Sequence, residues 1–171
     1  MDFDKVINMR YSVRKFSDKK VEKEKIDKLL MAVNLAPSAR NSQATRVIVV
    51  QDTIDKMNEL TKCVFGGNVL FIICAKKDNL VTRKYGEIDA SIALTHLVLA
   101  ASNEGLGTCI VGMFDREKTT EYFKMEEDLV PLLFVTCGYP SDDSKPIDLH
   151  YNRKDISEIA FKESLENKYE R

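Results

Sequence analysis

Two arginines four residues apart, Arg10 and Arg14, flank a serine, Ser12, in the stretch "MRYSVRKF". A guanidinium donates hydrogen bonds in a planar fork that matches phosphate oxygens. If the stretch forms a helical turn, i and i+4 residues share a face, and both arginines and the hydroxyl converge on one anion. The other reading is a solvated basic face. A third arginine, Arg153, lies far along the chain in "YNRKD" with Lys154, and could join the first two. In "APSARNSQATR", Ser38, Arg40, Asn41, Ser42 and Gln43 supply donors and acceptors after Pro37, which fixes where the loop starts. Such a loop could read the polar edge of a planar ring, or be ordinary helix-to-strand loop chemistry. In "GLGTCIVG", the glycines follow a helical pattern and lead into a strand, the reverse of the dinucleotide fingerprint, and no P-loop lysine follows. They cap a helix, or let a ligand approach bare backbone amides.

The elements that would position these residues can be read from periodicity. Val21 to Ala36 has Ile26, Leu29, Leu30 and Val33 at helical spacing and is ended by Pro37. "RVIVV" is a short buried strand, and Asp52 to Thr61 a short helix. "NVLFIICAK" is apolar throughout, as a central strand is. Tyr85 to Glu104 is a long helix, apolar round most of its circumference, which predicts packing against a sheet on one face and a partner subunit on another. Gly105 and Gly107 are expected to stop it. "TCIVGMF" is a third strand, "DREKTTEYFKM" a helix with Asp115 as N-cap, and "LVPLLFVTCG" the fourth strand. Strands alternate with helices and no hairpin signal appears, which fits either a doubly wound parallel sheet or an α+β sandwich. One domain is expected over 1–171, with the polar tail from about 141 wrapping the core or a neighbouring subunit.

Composition narrows the function. With 171 residues and a formal net charge of −1, the chain has no global field that favours nucleic acid or an anionic membrane, so an anion site must be local. The N-terminus is acidic and lacks an apolar signal core, and no eighteen-residue apolar run appears. A cytoplasmic protein is expected. The four cysteines, Cys63, Cys74, Cys109 and Cys137, form no C-x-x-C pair and read as buried small hydrophobes. His96 and His150 lack zinc-site spacing from any of them, so no metal is expected.

Taken in order, the four stretches resemble the motifs of the nitroreductase-like flavoproteins. "RYSVRKF" is similar to their R-x-S-x-R-x-F opening, "APSARNSQATR" to their A-P-S-x-x-N-x-Q-P-W loop, "GLGTCIVG" to their G-L-G-T-C-W-I-G segment, and "YNRKD" to their late R-K. The resemblance covers essentially the whole chain. It implies an α+β fold, an α/β/α sandwich around a mixed, mainly antiparallel sheet of four to five strands. It also implies a homodimer with FMN at the subunit interface. By the same resemblance, Arg10, Tyr11, Ser12 and Arg14 hold the FMN phosphate and the polar side of the flavin, and Arg153 adds to the phosphate site. Pro37, Ser38, Ala39, Asn41 and Gln43 would reach the flavin of the partner subunit, and the backbone of Ile110, Val111 and Gly112 would lie against the ring. The expected activity is an NAD(P)H oxidoreductase, passing hydride from NADH or NADPH through FMN to a nitro compound, quinone or similar small electrophile. No side chain of this chain is expected to be catalytic, because the flavin carries the hydride chemistry. Two departures, "QATR" for Q-P-W and Ile110 where Trp is frequent, alter the expected pocket wall. The rival readings are a flavin-binding sensor or carrier without turnover, and an α/β interaction domain whose motifs are accidental.

Overall fold

The computed structural model describes residues 2–169. Four strands form one antiparallel sheet: β1 (Thr45–Val50), β2 (Val69–Lys76), β3 (Gly107–Val111) and β4 (Leu129–Gly138), in the order β1-β2-β4-β3. The doubly wound parallel alternative is therefore excluded, and the sandwich is what forms. The connections that join antiparallel neighbours are long, through a 3-10 segment between β1 and β2 and a helix between β3 and β4. That is why no tight hairpin signal is present. One parallel element remains, a single bridge from Ser12 to Thr108 at the free edge of β3.

β2 and β4 are the inner strands, and Val69 to Ala75 are buried without interruption. Such a strand has no solvent face, and each of its two faces carries a core. On one face Phe71, Ile73 and Val135 pack against Leu29 of α2 (Lys23–Asn34) and Leu94 and Leu97 of α3 (Leu80–Asn103). On the other, Leu70, Ile72 and Phe134 pack against Met57 and Leu60, with Phe123 following α4 (Arg116–Tyr122). Each fully buried large side chain contributes roughly 1.5–3 kcal/mol.

α3 starts earlier than its apolar pattern predicts. Asn79 accepts from the Val81 and Thr82 amides, and Thr82 returns the bond to the Asn79 amide, a capping box that recruits the polar turn before Tyr85. It ends as expected at Gly105, whose φ of +74° suits a residue without a Cβ. The Leu106 amide reaches back to the Ala101 carbonyl at 2.8 Å, completing a Schellman closure. In the isolated chain α3 is not buried all round: Ile88 is 56% exposed, as are Phe3 (63%) and Ile7 (47%) on the short α1 (Phe3–Met9) that contacts it.

Gly107 does not cap the helix. It opens β3, and a Cβ there would come within 2.5 Å of Val13 Cγ2 and 2.9 Å of Val13 Cβ. The glycine is bare so that Val13 can lie on it. We predict that Gly107→Ala destabilises the fold by about 1–3 kcal/mol through overpacking, measured by urea unfolding, and that Val13→Ala in the same chain recovers part of the loss.

Candidate functional site

Residues 10–16 are extended, not helical. The Val13 amide donates to the Thr108 carbonyl at 2.9 Å, and Phe16 bridges Pro140 just beyond β4. The expected i, i+4 face therefore does not exist. Period-two alternation replaces it: Val13 is buried against Gly107, while Arg10, Ser12 and Arg14 line a hollow of about 210 Å³ beside it. Tyr11 lines it too, its hydroxyl donating to Ser144 Oγ at 3.0 Å.

The opposite wall is the tail. The Ser141 amide donates to the Lys15 carbonyl, and Asp143 pairs with Lys15, which turns the chain back over the N-terminal segment. A 3-10 turn, Asp148–His150, follows, and Arg153 enters the hollow from there. The structure thus brings together arginines separated by more than a hundred positions in sequence. Among the described residues, none of the three guanidiniums meets a carboxylate. Arg14 donates to the Ser12 carbonyl at 3.3 Å, and Arg153 to the Leu149 and Asn152 carbonyls at 3.3 and 3.1 Å. The ion pairs among the described residues all use lysines. Three positive groups in one hollow without counter-charge repel each other, and a dianion relieves that repulsion. The hollow continues past Ser12 and Arg14 into a second of about 370 Å³, so an elongated ligand has room beyond its anionic end.

β3 forms the edge beside this segment. Ile110 is 44% exposed and faces outward, whereas the Val111 side chain is buried in the second core. Only its backbone is available to a ligand. Gly112 is exposed, and a Cβ there would make only ordinary contact with Leu133, at 3.7 Å. Burial pushes the Cys109 thiol up, against the opposing pull of Arg14, and pushes Cys137 up to about 12. Burial favours the neutral thiol in both, and Cys137 lies in the first core rather than in the hollow. Among the described residues no group of three or more His, Cys, Asp or Glu side chains could hold a metal.

The Pro37–Gln43 loop is elsewhere. It leads into Thr45, at the Ala75 end of β1, while Ser12 sits beside Thr108, in line with Cys137 and Val69 at the other end of the sheet. The two are therefore at diagonal corners, about 19 Å apart across the strands and a further 15–20 Å along them. Within one chain Pro37, Ser38, Ala39, Asn41 and Gln43 do not join the arginines. The loop is nonetheless held tightly. Arg40, Asn41 and Gln43 have φ of 52°, 54° and 47°, a left-handed run of side-chain-bearing residues that only surrounding bonds maintain.

Those bonds come from a residue that sequence reading passed over. Asp89, 3% exposed on α3, accepts the Ala39 amide at 3.0 Å and the Ser42 hydroxyl at 2.9 Å. The Gln43 amide donates to Ser38 Oγ, and the Gln43 side chain to Asn41 Oδ1. The signal was a carboxylate, Asp89, set between the apolar Ile88 and Ala90 of the long helix, which helical periodicity alone does not flag.

Known proteins are similar to this chain in sequence and fold. A family model described as "Putative TM nitroreductase" matches residues 2–170. An Archaeoglobus fulgidus protein named "Putative NADH dehydrogenase/NAD(P)H nitroreductase" is 32% identical over 81% of this chain and 86% of its own length. A Bacillus subtilis protein named "FMN reductase (NADPH)" is 26% identical over 97% of this chain and 79% of its own. Among solved structures, a nitroreductase family protein from Clostridium difficile 630 superposes with a TM-score of 0.86 at 31% identity, covering 96% of this chain and 99% of that one. The chain belongs to the nitroreductase family.

Removing the Asp89 acceptor leaves two partly buried donors unpaired. Asp89→Ala is expected to cost about 1–3 kcal/mol in denaturant unfolding and to speed tryptic cleavage after Arg40 in the native protein. Unchanged cleavage would show that the loop is held by something else.

Proposed function

We propose that this protein is an FMN-dependent NAD(P)H oxidoreductase whose arginine hollow holds the cofactor phosphate. The observation that carries the reading is the set of three guanidiniums, Arg10, Arg14 and Arg153, meeting the Ser12 hydroxyl in one hollow without a carboxylate partner among the described residues. That donor set fits a phosphate monoester of about two negative charges, each charge-assisted bond contributing roughly 1.5–3 kcal/mol. The name of the Bacillus subtilis relative supports FMN in particular. When bound, FMN supplies the hydride chemistry, accepting from a reduced nicotinamide and delivering to an oxidised acceptor.

The chain's own residues bind and orient. The arginines anchor one end of the cofactor, and the exposed edge at Ile110 and Gly112 leaves room for a flat ring against backbone. Positive charge fixed near a ring that gains an electron pair lowers the cost of that charge without reorganisation. The diagonal placement of the Pro37–Gln43 loop gives it no role toward the same cofactor within one chain. A homodimer resolves this, since a second copy can bring its loop to the first copy's hollow. The exposed apolar residues Phe3, Ile7 and Ile88, and Leu149 and Leu165 of the tail, supply surface for that association. The chain then acts as one domain whose tail from about 141 closes the hollow and reaches toward the neighbour. Electron acceptors of this reading are small electrophiles, nitro compounds or quinones, entering where Ile110 leaves the wall less aromatic.

Arg10→Ala is expected to weaken FMN binding by roughly ten- to a hundredfold with an unchanged circular dichroism spectrum. Unchanged FMN affinity would overturn the phosphate assignment. Anaerobic mixing of the flavin-loaded protein with NADH and with NADPH should bleach the flavin with at least one of them. If neither does, the protein carries flavin without turnover.

A further inference from the structure

The hollow contains a fourth group that can carry positive charge. His150 ends the 3-10 turn Asp148–His150, its amide donating to the Ile147 carbonyl at 2.8 Å. Its ring stands edge-on between two phenols, with centroids 6.4 Å from Tyr11 and 5.0 Å from Tyr151 and interplanar angles of 70° and 80°. Packing therefore holds the imidazole at the wall, but neither ring nitrogen has a hydrogen-bond partner among the described residues. The Tyr11 hydroxyl is directed to Ser144 instead. The charged groups around the imidazole are Arg10 and Arg14 across the hollow, Arg153 on its own wall, and Lys15, Asp143, Lys145 and Asp148, which line the adjoining hollow.

Resting on the reading that this hollow holds a phosphate monoester, we propose that His150 is a fourth phosphate ligand that binds in its protonated form, so that each phosphate bound takes up a proton. The neutral imidazole offers one N–H and no charge, whereas the imidazolium offers two N–H donors and a positive charge. A dianion among the arginines favours the charged ring, and the proton comes from solvent, with no bond formed but the N–H. The liganded protein holds more protons than the free protein. The contribution of His150 to affinity is therefore present while the ring is protonated and is lost as pH rises. Below about pH 6 the phosphate itself protonates and affinity falls for that separate reason. The hollow is thus tuned to phosphate monoesters near neutral pH, and alkaline conditions release them.

The test is FMN titration of apoprotein by quenching of flavin fluorescence between pH 6.5 and 9. Affinity of the unaltered protein should fall by about tenfold over that range, the size of one charge-assisted bond. His150→Asn should bind about tenfold more weakly at pH 6.5 and show no fall. His150→Lys should bind as well as the unaltered protein at pH 6.5 and keep that affinity to pH 9. Equal pH slopes in the unaltered protein and His150→Asn would overturn the proposal, as would the same slope for riboflavin, which has no phosphate. Calorimetry of the unaltered protein at pH 7.5, in buffers of different ionisation enthalpy, should register proton uptake with FMN. No uptake would also overturn it. Failure to bind FMN at every pH is the distinct result that removes the phosphate reading itself.

Discussion

The Val13 amide bonded to the Thr108 carbonyl, with the Val13 side chain seated on Gly107, is the contact on which the site depends. It ties the segment after α1 to the free edge of β3, and with the Phe16–Pro140 bridge it keeps that segment extended. An extended stretch alternates its side chains, and alternation is what turns Arg10, Ser12 and Arg14 toward the hollow. The same edge receives the chain leaving β4, so Ser141 can pair with the Lys15 backbone and the tail can fold back with Arg153 and His150. One backbone hydrogen bond contributes only about 1 kcal/mol net. Here it also sets the register of every cationic group in the hollow.

The sheet supplies a second constraint. β2 and β4 are covered on both faces, so ligand chemistry is excluded from the centre and left to the edges and loops. The two polar segments fall at diagonal corners of that sheet. Each is rigid by its own device: backbone pairing to β3 for the arginines, and the buried Asp89 carboxylate for the left-handed loop. Under the proposed function, a homodimer would bring together the two segments that one chain holds apart. The exposed apolar face of α1 and α3 is in keeping with that.

Much of the fold was legible because its elements are bounded by strong local punctuation. β4 spans the run from Leu129 to Gly138 that its apolar pattern predicts, β2 is the central strand, Asp115 caps α4 by accepting the Lys118 amide, and Pro37 follows the end of α2. Strand direction was not legible, because a strand buried on both faces reads the same in parallel and antiparallel sheets. The arginine pair was recognised with the wrong period. Arginines four apart lie on one side of a helix and also on one side of a strand, and only the docking of Val13 on Gly107 decides between them. Gly107 was misread as a cap for the same reason, since what fills the space of its missing side chain comes from another part of the chain. Asp89 and His150 were passed over as site residues because each acts through partners distant in sequence: the loop fifty residues before Asp89, and the N-terminal segment facing His150.

The central claim is that the arginine hollow is a phosphate site, and the most direct measurement compares the affinity of the unaltered apoprotein for FMN and for riboflavin, which differ only in the phosphate. Three guanidiniums acting on a dianion predict that FMN binds at least about a hundredfold more tightly at neutral pH and low salt, and that added salt narrows the gap. Equal affinity for the two flavins would contradict the account, because the arginines would then be no more than a solvated basic surface.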